Sequence, residues 1–279
     1  MTTADGRLFA RGQAASGAVS FIRLFLIGGL ISYRALFNWI RPSIYIPTML
    51  GAPLFQIIFF TYLGRFRGLE SDAFFVVGNA VQSCSMSSLY ASTFTIANER
   101  WMGTLAPLLA SPANRAALFL GRAVPLVANG LFVSAFGFGV GRLLLRFHPH
   151  ASVLPTLCIV VIVTVVSCTL FGLLLGSIGL RARDVLFGAN LAYFLMLLFC
   201  GVNVPLSELP GWMQAVGNSL PLTHGIEAAR KVAAGAAFGD VAGLVGTELG
   251  IGAAYGAAAY LLFRYFEAAG RRRATLETA

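Results

Sequence analysis

The sequence predicts an all-α membrane protein with six transmembrane helices, an N-terminal interfacial amphipathic helix and a broken re-entrant segment before the last helix. Three observations lead there. The 279-residue chain is 57% hydrophobic and 11% charged, with mean hydropathy +0.78, more apolar than a water-soluble domain of this size can bury. Its charged residues leave six long intervals that are neutral or nearly so. Two of the connections between those intervals carry distinctive motifs, one with Pro107 and Pro112 and one with Pro210 and Pro221.

Residues 1–19 are small and polar and read as disordered; the transmembrane domain is expected over 20–279. The early apolar run at 24–31 contains Gly28 and Gly29 and no small-residue cleavage site follows it, so the first span is expected to act as an uncleaved insertion signal. Between residues 20 and 41 the arginines recur at whole helical turns. Arg23, Arg34 and Arg41 share a face with Ser20 and Asn38, while Phe21, Leu24, Phe25, Leu36 and Trp39 lie elsewhere. That pattern describes a helix lying along the inner leaflet. As a seventh span it would bring three arginines into hydrocarbon.

The near-neutral intervals are 42–64, 73–98, 123–141, 147–180, 185–207 and 241–263. Each is close to or above the roughly 20 residues that cross a bilayer. They place spans at about 44–64, 73–97, 118–141, 152–180, 185–206 and 241–263. With both termini cytoplasmic, fourteen of the 20 basic residues fall on the inner side; the other six are Arg65, Arg67, Arg142, Arg146, Arg230 and Lys231. The positive-inside rule therefore sets that orientation. The formal charge of +9 comes from arginines at span ends, with no basic run interleaved with aromatics. Anionic membrane lipids are the expected partner, and nucleic acid is not. Cys84, Cys158, Cys168 and Cys200 all fall within spans and read as small apolar residues.

The cytoplasmic connection after the second span runs through Glu99, Arg100, Gly103, Thr104 and Leu105 to Leu108, Leu109 and Pro112. Leu105, Leu108 and Leu109 share a helical face and Pro112 ends the segment, which fits a short surface helix as well as a plain loop. The external connection at 208–240 follows Pro205 and holds Pro210, Trp212, Pro221 and Arg230, with Gly211, Gly217 and Gly225. Those breakers argue against a straight span. Because residues 209–226 are uncharged, the segment reads as broken helices dipping into the outer leaflet, the alternative being an extracellular loop.

Inside the second span stand Asn79, Gln82, Ser83, Ser85, Ser87, Ser88, Ser92, Thr93 and Thr95. Polar groups in lipid need partners, so this face meets either other helices or a pathway, and Asn79, Gln82, Ser85 and Ser88 are the pathway-lining candidates. Glu248 joins them: it is a carboxylate well inside the last span if that span starts near residue 241, and interfacial if it starts near 249. Small residues four apart, Gly172 and Gly176, Gly246, Gly250 and Ala254, and Gly252 and Gly256, permit close helix contacts within or between subunits.

Enzyme chemistry finds no foothold. The single lysine, Lys231, lies between Arg230 and Val232, so no GxxxxGK[ST] phosphate loop exists. There is no HExxH helix, no GxSxG elbow and no paired acidic motif for magnesium. His148 and His150 flank a proline and read as a polar loop, leaving no metal site and no cofactor expected on this chain.

At the two connections the residues are similar to a known family. Glu99-Arg100-x-x-Gly103-Thr104-Leu105-x-x-Leu108-Leu109-x-Ser111-Pro112, with Arg115 and Gly121-Arg122, resembles the coupling segment of ABC-2 type transporter permeases. Val204-Pro205-Leu206, Leu209-Pro210-x-Trp212, Leu220-Pro221-Leu222-Thr223 and Ala229-Arg230 resemble that family's loop before the last span. Where family members often carry an acidic residue after Gly-Thr-Leu, this chain has Ala106-Pro107.

The resemblance implies an ABC exporter half. Two permeases, identical or paralogous, form the pathway, and separate nucleotide-binding ATPase subunits carry ATP and magnesium and push on the interfacial helix and the 99–112 segment. The implied cargo is a drug, an antibiotic or a lipid, with lipid-linked polysaccharide as the alternative. An ion-gradient transporter using Glu248 is the rival mechanism. The excess of arginine over lysine points to a GC-rich bacterial genome, hence to a bacterial inner membrane.

Overall fold

In a computed structural model of the chain the backbone is described for residue 27 and for residues 46–68, 70–101, 115–145, 147–179 and 185–273, with side chains described for all but 94–101, 115–120, 122, 185–186 and 266–273. The expected disordered N-terminus lies outside the described residues, as do the interfacial helix (Ile27 excepted) and Gly103, Thr104, Leu105, Leu108 and Pro112. Glu99 and Arg100 close a helix whose side chains are not described there.

Eight α-helices make up the described residues, with no strand among them. They are α1 (Ala52–Arg67), α2 (Asp72–Trp101), α3 (Arg115–Leu144), α4 (Leu154–Gly179), α5 (Val185–Phe199), α6 (Gly211–Ser219), α7 (Thr223–Ala233) and α8 (Phe238–Arg273). A helix thus occupies each interval that the charge spacing marked, and two short helices fill the proline-rich connection.

Among the described residues four stretches are both long and apolar enough to cross a membrane: Ile46–Arg67, Ala123–Leu144, Ala151–Gly179 and Phe238–Tyr265. That is two fewer than charge spacing alone predicts, and the reasons are local. Helix α2 has the length, but its amides and hydroxyls dilute its hydropathy. Helix α5 is short, 15 residues from Val185 to Phe199, and the chain turns after it at Gly201, whose φ of 72° favours glycine.

A π-helical turn, Ile46–Gly51, precedes helix α1, which ends on Gly68 at φ 63°, whose N–H returns to the Arg65 carbonyl at 3.2 Å. This left-handed glycine cap satisfies a terminal carbonyl and lets α2 start four residues later. Across the turn Arg65 Nη2 meets Asp72 Oδ2 at 2.5 Å. Hydrogen bonding from that guanidinium holds the Asp72 carboxyl below its ordinary range. The pair therefore stabilises at neutral pH and is lost as pH falls through that lowered range, a small effect because both side chains are exposed.

The core forms where α2 packs on α3 and α4, and α4 on α8. Helix α4 is buried over most of its length, through Val160, Val161, Val165, Cys168 and Leu173 among others. Close approach depends on missing side chains. A Cβ on Gly137 would stand 3.0 Å from Ala80 Cα, and one on Gly172 3.1 Å from Leu89 Cα. Gly252 faces Ser167 in the same way. Gly246 and Gly250, by contrast, face open space, so among the described residues only one of the two small-residue rows of α8 packs within the subunit. Phe55, Phe59 and Phe66 of α1 and Phe187 and Phe194 of α5 point outward. A surface of that kind belongs in lipid or against another chain.

Candidate functional site

The residues singled out in the sequence converge on the α6–α7 pair and the helices beneath it. Pro205 and Pro210 stand at the N-caps of a 3-10 turn, Leu206–Glu208, and of α6. Both have extended ψ, and their fixed φ suits the start of a helix. Trp212 is exposed and sets its ring edge-on to Phe199, with centroids 5.8 Å apart. Pro221 separates α6 from α7, since an interior proline would remove a helical hydrogen bond. Its carbonyl lies 3.8 Å from Cys200 Sγ.

Leu222, the next residue, has φ 99° and ψ −36°, a conformation that L side chains rarely adopt and that costs on the order of 1–3 kcal/mol. Its surroundings hold it there. The Leu222 N–H donates to Glu248 Oε1 at 2.7 Å, and the Gly225 N–H donates to Glu248 Oε2 at 3.1 Å. A carboxylate on α8 thereby caps the N-terminus of α7, where free N–H groups and the helix dipole both favour negative charge. Thr223 Oγ1 donates to the Gly217 carbonyl at 2.5 Å. Below, Ser167 Oγ donates to the Glu248 carbonyl at 2.8 Å, tying α4 to α8 at the same level. Gly225 has no room for a side chain, because its Cβ would lie 2.1 Å from Thr164 Oγ1.

At the other end of α7, Arg230 donates from Nη1 to the Gly201 carbonyl at 2.8 Å, from Nη2 to the Val202 carbonyl at 2.7 Å, and from Nε to the Phe74 carbonyl at 3.3 Å. Its guanidinium carbon sits 3.4 Å from the centre of the Phe74 ring. The planar fork of arginine suits this triple use of carbonyls and ring face. Arg230 therefore joins α7 to the start of α2 and to the turn after α5.

Beside this clamp runs an uncharged polar seam. Tyr193 on α5 donates to Gln56 Oε1 on α1 at 2.9 Å, Gln56 Nε2 donates to Asn79 Oδ1 on α2 at 2.9 Å, and Asn79 Nδ2 donates to Asn203 Oδ1 at 2.7 Å and to the Phe75 carbonyl at 2.9 Å. Such a chain polarises along its length in a low dielectric. Tyr90 bonds Asn190 nearby. Gln82 lies beside Tyr193, yet its amide makes no well-formed hydrogen bond, and the hydroxyls of Ser88 and Ser92 find none among the described residues. Ser85 bonds the Gln82 carbonyl at 2.7 Å. Removing the hub of the seam leaves Gln56 and Asn203 half-satisfied, so Asn79→Ala is expected to cost about 2 kcal/mol, read as a lowered unfolding midpoint in detergent.

Asn79, Gln82, Ser85, Ser88 and Glu248 are all 0% exposed within the single chain, and the structure gives each a place in the packing of the bundle. The continuous course of α8 from Phe238 puts Glu248 ten residues inside the helix, not at its start. Sequence reading missed Gln56, Tyr193, Asn203 and Thr164. A lone amide in an otherwise apolar first span was the available signal for Gln56; nothing local marks the others, whose partners lie on distant elements.

A family model described as ABC-2 type transporter matches residues 28–233 of this chain. Two curated proteins are similar to it, each described as a probable multidrug ABC transporter permease YbhR, one from Escherichia coli strain K12 and one from Escherichia coli O157:H7. Each is 26% identical over 177 residues, which is 63% of this chain and 48% of the relative. The chain thus spans about half the length of the curated relatives it matches.

Proposed function

The chain belongs to the ABC-2 type transporter family, and on that premise we propose that it is the transmembrane permease subunit of an ATP-driven exporter. The observation that carries the proposal is the reach of the family match, which takes in both the 99–112 segment and the proline-rich segment ending at Arg230. In this reading two copies, or one copy and a paralogue, enclose the pathway, and separate nucleotide-binding subunits supply ATP hydrolysis to residues 99–112, with ATP and magnesium on that partner. All six helices α1, α2, α3, α4, α5 and α8 cross the inner membrane of a bacterium, α2 doing so because Asn79, Gln82, Ser85, Ser88 and Ser92 are buried inside the bundle, away from lipid. The α6–α7 pair sits in the outer leaflet, and both termini are cytoplasmic.

The cargo is a hydrophobic or amphipathic compound, a drug, an antibiotic or a lipid, and export would confer resistance. Outward phenylalanines on α1 and α5 and the uncharged seam support that class, as does the multidrug description of the relatives. The ion-gradient rival loses ground because both oxygens of Glu248 are engaged as a helix cap.

Reconstitution tests the proposal. Vesicles holding the chain with its co-purifying ATPase are expected to expel the amphipathic dye Hoechst 33342 only when ATP is supplied on the ATPase side. Efflux by the chain without any ATPase overturns the reading. Glu99→Ala is expected to leave ATP hydrolysis running while dye efflux falls by about tenfold or more, as for loss of a mechanical contact; equal efflux in that variant removes Glu99 from the coupling role.

A further inference from the structure

Helix α7 is held at both ends by ionisable side chains that serve no ion pair with one another. At its N-terminus the two Glu248 oxygens take the N–H groups of Leu222 and Gly225. Near its C-terminus Arg230 takes the carbonyls of Phe74, Gly201 and Val202. Between these ends Ile226, Ala228, Ala229 and Val232 are fully buried, and Gly225 lies flush on Thr164. Helix α6 is tied in as well. Gly217 sits so close to the turn after α5 that a Cβ would meet the Phe199 carbonyl at 2.2 Å, and the Tyr255 hydroxyl of α8 donates to the Ser219 carbonyl at 3.0 Å.

A segment built to swing as a lid has few buried contacts and exposed backbone; α7 has the opposite, and the more exposed α6 is anchored through Gly217 and Ser219. The strained backbone of Leu222 also persists only where its surroundings over-determine it, and the Glu248 carboxylate is the group that does so. We propose that Glu248 is a positioning residue for the outer end of the pathway: with Arg230 it welds the α6–α7 pair to α2, α4, α5 and α8, so that the pair travels with its own subunit and release occurs between subunits. The inference rests on the exporter reading for the last of these points only. The clamp itself is a property of the single chain.

Two measurements test it separately. Glu248→Gln keeps the size of the side chain and replaces one accepting oxygen by an NH2 donor, so packing is preserved while one capped N–H loses its acceptor. Hydrogen–deuterium exchange is expected to speed up about tenfold or more at residues 222–226, with α4 and the rest of α8 unchanged. Exchange equal to wild type at those amides overturns the clamp.

In the second measurement S219C and Y255C are bridged by a bifunctional thiol reagent in a C158S background, which removes the one exposed native cysteine among Cys84, Cys158, Cys168 and Cys200. The bridged complex is expected to expel Hoechst 33342 within about twofold of the unbridged one, because rigid bodies tolerate a staple where hinged lids do not. Loss of efflux on bridging overturns the rigid-body inference. If the complex with the native Ser219 and Tyr255 shows no ATP-dependent efflux, the exporter reading fails instead, and the exchange experiment still decides the clamp.

Discussion

Arg230→Met lowers the unfolding midpoint of the detergent-solubilised protein by about 10 °C, the expected scale for a loss of roughly 3–4 kcal/mol in a chain of this size. Methionine matches the reach of arginine and keeps the apolar contact with Phe74, so the variant isolates the polar part of the clamp. What is lost is every hydrogen bond from the guanidinium to the carbonyls of Phe74, Gly201 and Val202. Hydrogen bonds to a charged group each contribute about 1.5–3 kcal/mol, and the stranded carbonyls then carry a desolvation cost of their own. Arg230→Lys recovers less than half of the shift, since one ammonium cannot serve three carbonyls and a ring face in the same geometry. A midpoint within about 2 °C of wild type for Arg230→Met would show that water replaces the guanidinium without penalty.

Gly252→Leu is expected to prevent assembly of the bundle, whereas Gly250→Leu on the same helix leaves the folded subunit intact. The contrast comes from what each glycine faces. At Gly252 even a Cβ would lie 2.3 Å from Ser167 Oγ and 2.9 Å from Ser167 Cα, while at Gly250 nothing lies within 4 Å. Backbone cannot retreat as a flexible side chain can. The α4–α8 crossing must open, which breaks the Ser167 bond to the Glu248 carbonyl and the Gly256 contact with Leu170. Overpacking commonly costs about 1–3 kcal/mol, and the broken hydrogen bond adds about 1 kcal/mol. Yield of monodisperse protein by size-exclusion chromatography measures the outcome, and equal yields for the two variants would refute the assigned packing of α8.

The same pair of glycines shows where sequence reading stops. Gly246 and Gly250 carry the four-residue spacing as well as Gly252 and Gly256 do, and nothing in the spacing says which row meets α4. Glu248 presents the same problem in another form. The sequence marks it as a buried or interfacial carboxylate, but its acceptor role depends on Leu222 and Gly225, more than twenty residues away, arriving with their N–H groups unpaired.

By itself the sequence determined that lipid is the solvent, that the chain is helical, where the helices run and where they break. These properties follow from hydropathy, charge spacing and proline chemistry, all of which act over one or two helical turns or one bilayer thickness. The tertiary structure alone decided that the polar residues of α2 pair across α1, α5 and the turn at Asn203, and that Glu248 and Arg230 hold opposite ends of one short helix. Hydrogen bonds of that kind have directions and lengths that only assembled helices define, and in a membrane bundle helix packing, not local propensity, brings the partners together.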